Sequence, residues 1–250
     1  MKKSIFKLFC NPFIGKIISI IFWYNIPNLK NGFKRFKTPK LYCNDTVRAM
    51  IFWGFYEGAE IRLIRKYLPG NLPVVELGSS LGIVSSTAIG CIDVGTSYTC
   101  VEANPYLTEY INYNITKHNP SNKNYKIINS AVAYNSNGYI LMNISNNNTE
   151  SSIINSSNLK NECAIKVKAI SLSEISITDF TLICDIEGAE IEIFKNDYQI
   201  LENCKHLFIE LHKTIYHGED YAISDLQTII EKKLLFKLVA SDGNVFYYNK

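Results

Sequence analysis

Val74-Val75-Glu76-Leu77-Gly78-Ser79-Ser80-Leu81-Gly82 is an apolar run that ends in an acid and opens into two glycines bracketing small and apolar residues. A Ser/Thr-rich segment follows. The pattern predicts a strand, a tight turn and the start of a helix, with glycine supplying positive φ and close backbone approach and the helix N-terminus presenting free N–H groups. A second acid, Glu102, closes the next apolar run 26 residues after Glu76. That interval is near the ~20 residues at which an acid meets a ribose hydroxyl in nucleotide-binding α/β folds. The spacing Gly78-x-x-x-Gly82 is not the G-x-G-x-x-G of dinucleotide sites. On this motif alone, a nucleotide-type ligand and a plain tight turn are both open.

At 250 residues, 47% hydrophobic and 20% charged, the composition is that of a globular protein with a substantial core. The net charge of +3 hides an asymmetry. Through Gly70 there are 13 Lys/Arg against 3 Asp/Glu, and the remainder carries 13 against 20. A basic arm on an acidic domain suits an anionic surface or partner, or is simply a solvated flank. Met1-Lys2-Lys3 precedes the apolar stretch Phe13–Tyr24, which Lys16 interrupts and which is too short to span a bilayer. An interfacial helix and packing onto the domain are the two readings of this segment. No small-residue cleavage site follows it. The seven scattered cysteines form no C-x-x-C pair and read as reduced, buried thiols of a cytoplasmic protein. The Asn-x-Ser/Thr triplets at Asn44, Asn114 and Asn155 read as products of Asn abundance.

Residues 44–68 have apolar positions at helical intervals behind the caps Asn44-Asp45-Thr46, predicting a helix that Pro69-Gly70 ends. Beyond the glycine turn the chain predicts a helix over Ile83–Ile89, a strand over Tyr98–Val101, a helix over Tyr106–Lys117 and a strand over Tyr125–Ile128. Strands over Tyr139–Ile144 and Ala164–Ile170 flank an Asn/Ser-rich segment, Ser145–Asn161, read as a mobile surface loop. Phe180-Thr181-Leu182-Ile183-Cys184 is a continuous apolar run, as in a strand buried on both faces. It leads into Asp185-Ile186-Glu187-Gly188-Ala189-Glu190 and a helix over Ile191–Asn196. A strand over His206–Ile209, a helix over Ala222–Lys233 and a hairpin around Ser241-Asp242-Gly243-Asn244 complete the chain. Alternating strands and helices predict a mostly parallel sheet with helices on both faces, closed here by a C-terminal antiparallel hairpin.

Four segments in this order resemble the FkbM-type S-adenosylmethionine-dependent methyltransferases, of the class I, Rossmann-like α/β fold. They are Glu76–Gly82, Val101-Glu102-Ala103-Asn104-Pro105, Asp185–Glu190 and Ile209-Glu210-Leu211-His212. The first two are general to Rossmann-like methyltransferases, whereas the Ile-Glu-Gly-Ala-Glu segment is specific. Glu76 stands where Asp is more usual, and Ser79-Ser80 where Ala-Asn is common. The resemblance covers roughly Tyr56 to Tyr248. It divides the chain into a basic, apolar N-terminal extension, 1–43, and a methyltransferase domain, 44–250, and implies O-methylation of a sugar hydroxyl in a glycan or glycosylated metabolite.

In such a sheet ligands sit beyond the carboxyl ends of the strands, where Glu76, Glu102, Asp185 and Glu210 are expected to converge. Gly78 and Gly82, with Ser79 and Ser80, are expected at the methionine part of S-adenosylmethionine and Glu76 at the turn or the amino group. Glu102, with Ala103, is expected at the ribose, Asn104 at the ribose or the adenine edge, and Ser130 and Ala131, after Asn129, at the adenine. Tyr56-Glu57 resembles a family feature that covers the cofactor, and Asp185 closes the set. Deprotonating a sugar hydroxyl calls for a base; Asp185, Glu210 and His212 are the candidates, His212 having the ordinary pKa nearest neutrality. Glu187 and Glu190 also suit the helix dipole. Asp185, Glu187, Glu210 and His212 are an alternative divalent-cation set, with Asp185 and Glu210 as its core ligands. The expected partners are a small-molecule or glycan acceptor, a peripheral contact of the N-terminal segment with the inner face of a membrane, and a second copy in a homodimer, with no nucleic acid. Other acceptors (lipid, protein or nucleic acid) and a non-catalytic membrane-associated binding protein are the alternative readings.

Overall fold

The computed structural model describes residues 2–119, 121, 124–134, 138–143, 152–153, 164–175 and 178–250. Two helices come first, α1 (Lys2–Phe9) and α2 (Pro12–Phe22). Asn11 separates them, its side chain accepting from the Ile14 N–H while Pro12 sits in the first turn of α2. A hairpin of β1 (Asn25–Asn28) and β2 (Lys34–Lys37) follows. Ile26 and Phe36 of this hairpin are fully buried in the main core. Asn114 clasps it further, accepting from the Lys37 N–H and donating to the Lys37 carbonyl. The same side chain donates to Leu81 O, so the Asn114 triplet is a packing device.

The single helix read across 44–68 is two helices, α3 (Asp45–Trp53) and α4 (Gly58–Tyr67). Asn44 caps α3 through the Val47 N–H, and Gly54, at φ +68°, ends it. Glu57, at φ +50°, then restarts the path on a new axis. Helical spacing of apolar residues continues across the break, which is why periodicity alone does not reveal it.

Then come β3 (Val74–Leu77), α5 (Ile83–Ile89), β4 (Tyr98–Glu102), α6 (Thr108–His118) and β5 (Tyr125–Asn129), alternating as expected. β6 (Ala131–Val132), β7 (Tyr139–Asn143), β8 (Ser152–Ile153) and β9 (Ala164–Ile170) form a separate small sheet in the order β6-β9-β7-β8. Apart from β8, the loop expected over Ser145–Asn161 lies outside the described residues, as does Cys163. The chain closes with β10 (Phe180–Cys184), α7 (Glu190–Asn196), β11 (Cys204–Glu210), a hairpin of β12 (Thr214–Tyr216) and β13 (Glu219–Tyr221), α8 (Ile223–Lys232), β14 (Lys237–Asp242) and β15 (Val245–Asn249).

The main sheet runs β14-β15-β11-β10-β3-β4-β5, with β15 antiparallel to both its neighbours and every other pairing parallel. One core lies on the face covered by α3 to α6, the other on the face covered by α7 and α8. All five residues of β10 are buried; burying a side chain such as Leu, Ile or Phe contributes about 1.5–3 kcal/mol. Strand order reverses between β3 and β10, which makes the crevice beyond their carboxyl ends the switch point of the fold. The described cysteines are free thiols. No helix among the described residues is long and apolar enough to cross a membrane.

Candidate active site

At the switch point the backbone itself shapes the crevice. Gly78 has φ +86°, and a Cβ on it would stand 1.8 Å from the Asp185 carbonyl oxygen. The turn after β3 and the end of β10 therefore meet backbone to backbone, an approach only glycine permits. Above them opens a cavity of about 780 Å3, in the range of small-ligand sites. The turn at Tyr56–Glu60 and the end of β10 form two of its walls; the small sheet, through Ile140 and Met142, and Thr214-Ile215 of the β12–β13 hairpin also line it.

Glu102 closes β4 with both carboxylate oxygens engaged: Oε2 accepts from the Ser80 N–H at 2.7 Å and Oε1 from the Asn104 N–H at 2.8 Å. Burial raises its pKa to about 7 against the lowering effect of those two N–H groups. Each oxygen keeps a second lone pair for a ligand hydroxyl. Tyr56 Oη and Ser80 Oγ hydrogen-bond at 2.8 Å. Three buried polar atoms of residues lining the cavity have no hydrogen-bond partner: Glu57 Oε2, Asn104 Nδ2 and Asp185 Oδ1. Leaving each unsatisfied costs about 1–3 kcal/mol, which a ligand carrying both donors and acceptors relieves.

Around Asp185 the charge is unusual. Glu60, Asp185 and Glu210 bring carboxylate oxygens within 4.8 Å of one another, and carboxylate oxygens of Asp185 and Glu187 with a ring nitrogen of His212 lie equally close. His212 lies behind them. Its Nδ1 is 3.0 Å from the fully buried Glu190 Oε1, and its Nε2 is 3.4 Å from Glu187, 3.9 Å from Glu210 and 4.0 Å from Asp185. Burial disfavours the imidazolium, but the hydrogen bond to Glu190 and the surrounding negative charge override it and raise the His212 pKa to about 9. Asp185 moves up to about 8, through burial first and then Glu210 and Glu187, with His212 pulling the other way. Burial and neighbouring acids also push Glu57 and Glu60 well above the usual carboxylate range. At neutral pH His212 is thus a cation set among acids.

The methyltransferase FkbM domain matches residues 77–238, well over half of the chain. The chain belongs to the FkbM methyltransferase family. No curated protein matches it significantly. Among solved structures it is similar to a protein of the NADB-Rossmann superfamily from Streptococcus agalactiae, at 13% identity over 76% of this chain and 66% of that one, TM-score 0.42. A precorrin-6y C5,15-methyltransferase from Geobacter metallireducens matches at 13% identity over 84% and 89%, TM-score 0.40. A SAM-dependent methyltransferase from Aquifex aeolicus matches at 11% identity over 78% and 91%, TM-score 0.41. The chain spans 66% and 65% of the length of the first two structures it matches.

In this FkbM-family chain most of the expected site residues line the cavity: Glu57, Gly78, Ser80, Glu102, Ala103, Asn104, Ser130, Ala131, Asp185, Glu187 and Glu210. Four stand elsewhere. Glu76 is fully buried beneath the turn, hydrogen-bonded to the Ser85 hydroxyl of α5, and does not line the cavity. Ser79 is buried too, its N–H donating to Val101 O at 3.2 Å. A Cβ at Gly82 would stand 2.9 Å from Ile111 Cα, so this glycine serves the α5–α6 contact. His212 does not line the cavity; its Nε2 stands 3.4–4.0 Å from Glu187, Glu210 and Asp185, which do.

Glu60 was not foreseen, although it is buried at the centre of the carboxylate set. The signal was present: Glu57-Gly58-Ala59-Glu60 repeats Glu187-Gly188-Ala189-Glu190 letter for letter. Both copies begin with a left-handed Glu (φ +50° and +51°) and end with a buried one. The β12–β13 hairpin was also missed; its turn, His217-Gly218, has positive φ at both residues without the Asn-Gly or Asp-Gly signature.

Proposed function

We propose that the chain is an S-adenosylmethionine-dependent O-methyltransferase whose acceptor is a neutral, hydroxyl-rich carbohydrate. The observation that carries the acceptor reading is the charge of the cavity. Eight acids and no Lys, Arg or His line it among the described residues. A phosphate- or carboxylate-bearing acceptor meets repulsion there, and so does a nucleic-acid backbone. Hydroxyl groups instead find acceptors for their protons.

The orphaned atoms fit the cofactor's polar groups. Glu57 Oε2 suits its ammonium group, Glu102 its ribose hydroxyls, and Asn104 Nδ2 an acceptor on the nucleoside. When bound, the cofactor supplies an electrophilic methyl group on a sulfonium centre. The chain's own part is to position the acceptor oxygen and take its proton. Asp185 is the group for this: its raised pKa makes it a stronger base than an ordinary carboxylate. His212, already protonated, steadies the charge that Asp185 gains on ionising.

Methyl transfer from labelled cofactor to a panel of neutral glycans and their phosphorylated counterparts tests the reading. Transfer is expected to neutral glycans, with a rate that climbs with pH toward about 8 as Asp185 ionises. Asp185→Asn lowers kcat about 10²–10⁴-fold while adenosylhomocysteine still binds. Equal transfer to phosphorylated acceptors sinks the acceptor class, and unchanged kcat in Asp185→Asn sinks the base.

A further inference from the structure

The second helix is apolar on both faces. Toward the domain it packs Ile14, Ile18 and Phe22, beside Gly15, whose Cβ position falls 1.6 Å from the Asp45 carbonyl oxygen, and Ser19, which donates to Asp45 Oδ1 at 3.2 Å. Its outer face is Phe13, Ile17, Ile20 and Ile21, which are 72%, 40%, 65% and 61% exposed and recur at the spacing of one helical face. An ordinary surface helix is polar on that face. Apolar exposure continues at Leu8 on α1, at Trp23 just past α2, which is 86% exposed, and at Phe33 and Leu41.

Charge says what this apolar face is suited to meet. The first 44 residues hold nine Lys and Arg and no acid, and Lys7, Lys16 and Lys40 are exposed. An isologous contact between two copies through α2 would bring these unbalanced cations together. An anionic bilayer offers what both features need, hydrocarbon for the Phe and Ile side chains and lipid phosphate for the lysines, with Trp23 suited to the headgroup boundary. We infer that α2 and its flanks dock the protein peripherally on an anionic membrane surface, with the outer face of α2 lying in the interface. The inference uses no residue of the cavity and stands apart from the proposed catalytic function.

The test is flotation of the full chain with vesicles of phosphatidylcholine alone and of phosphatidylcholine with phosphatidylglycerol. The wild type is expected to float with the anionic vesicles at low salt, and Trp23 emission to shift to the blue on mixing, a shift absent in Trp23→Phe. Ile17→Glu/Ile20→Glu lowers partitioning by more than about tenfold and Lys16→Glu by about fivefold or more, with unchanged circular dichroism because these side chains already face solvent. Recovery of the wild type at the bottom of the gradient with both vesicle types overturns the inference. So does a concentration-dependent dimer that Ile20→Glu breaks while vesicle binding is unaffected, since the face then belongs to a second copy.

Discussion

Glu102 shows how much one carboxylate can be asked to do. It holds the Ser80 and Asn104 N–H groups and still faces the cavity, and burial leaves it titrating near neutrality. Glu102→Gln is expected to weaken adenosylhomocysteine binding by about 10–100-fold, the worth of charged hydrogen bonds, as read by calorimetry. In the wild type affinity falls as pH drops through about 7, because the protonated acid offers one acceptor fewer, and in the variant the part of that slope due to Glu102 is lost. Equal affinity of the two proteins at pH 8 removes Glu102 from the ribose. Such acids were legible in the sequence because a charged residue ending an apolar run is costly unless it is used. Glu76 obeyed the same logic and was put to structural use under α5. The sequence could not tell the two apart, since the difference lies in which partner, Ser85 or the open cavity, each side chain meets. Glu60 was hidden for another reason: within a helix an acid reads as surface.

Strands and helices were legible where a single periodicity governed them, and illegible where backbone conformation changed without a change of pattern. β10 and α5 follow their expected bounds, whereas the break between α3 and α4 depends on Gly54 and on a left-handed Glu57. Gly82 belongs with these. It combines φ +72° with the Ile111 backbone at contact distance, so Gly82→Ala is expected to strain the turn and push α5 from α6. We expect a loss of about 1–3 kcal/mol in urea denaturation, with the midpoint lowered and the slope unchanged. A variant as stable as the wild type would mean that α5 can shift to make room.

Eight of the acids line the cavity at the sheet's end, and their crowding fixes much of the response to pH. Asp185 rises from an ordinary carboxylate value to about 8, and His212 from about 6.5 to about 9. Both bind protons more tightly when folded, so their stabilisation is complete at low pH, below the unfolded-state values, and lost as pH rises through 8 and 9. The ligand-free protein should therefore melt at least about 3 °C lower at pH 9 than at pH 6. Glu60→Gln, which mimics the protonated acid, should narrow the gap by gaining stability at pH 9. A melting temperature that rises between pH 6 and pH 9 would show that the carboxylates do not repel one another as their positions imply.

The crowded carboxylates also make the cavity a reservoir of hydrogen ions. A sulfonium or ammonium group entering it competes with those ions for the same oxygens, so ligand capture becomes an exchange of cations. The binding enthalpy at pH 7.5 should then depend on the buffer, becoming more negative as its ionisation enthalpy rises, with a slope equal to the number of hydrogen ions expelled. The neutral, demethylated thioether product should expel fewer than the charged cofactor does. Turnover would thus carry its own release signal, because the spent ligand has lost the charge that displaced them.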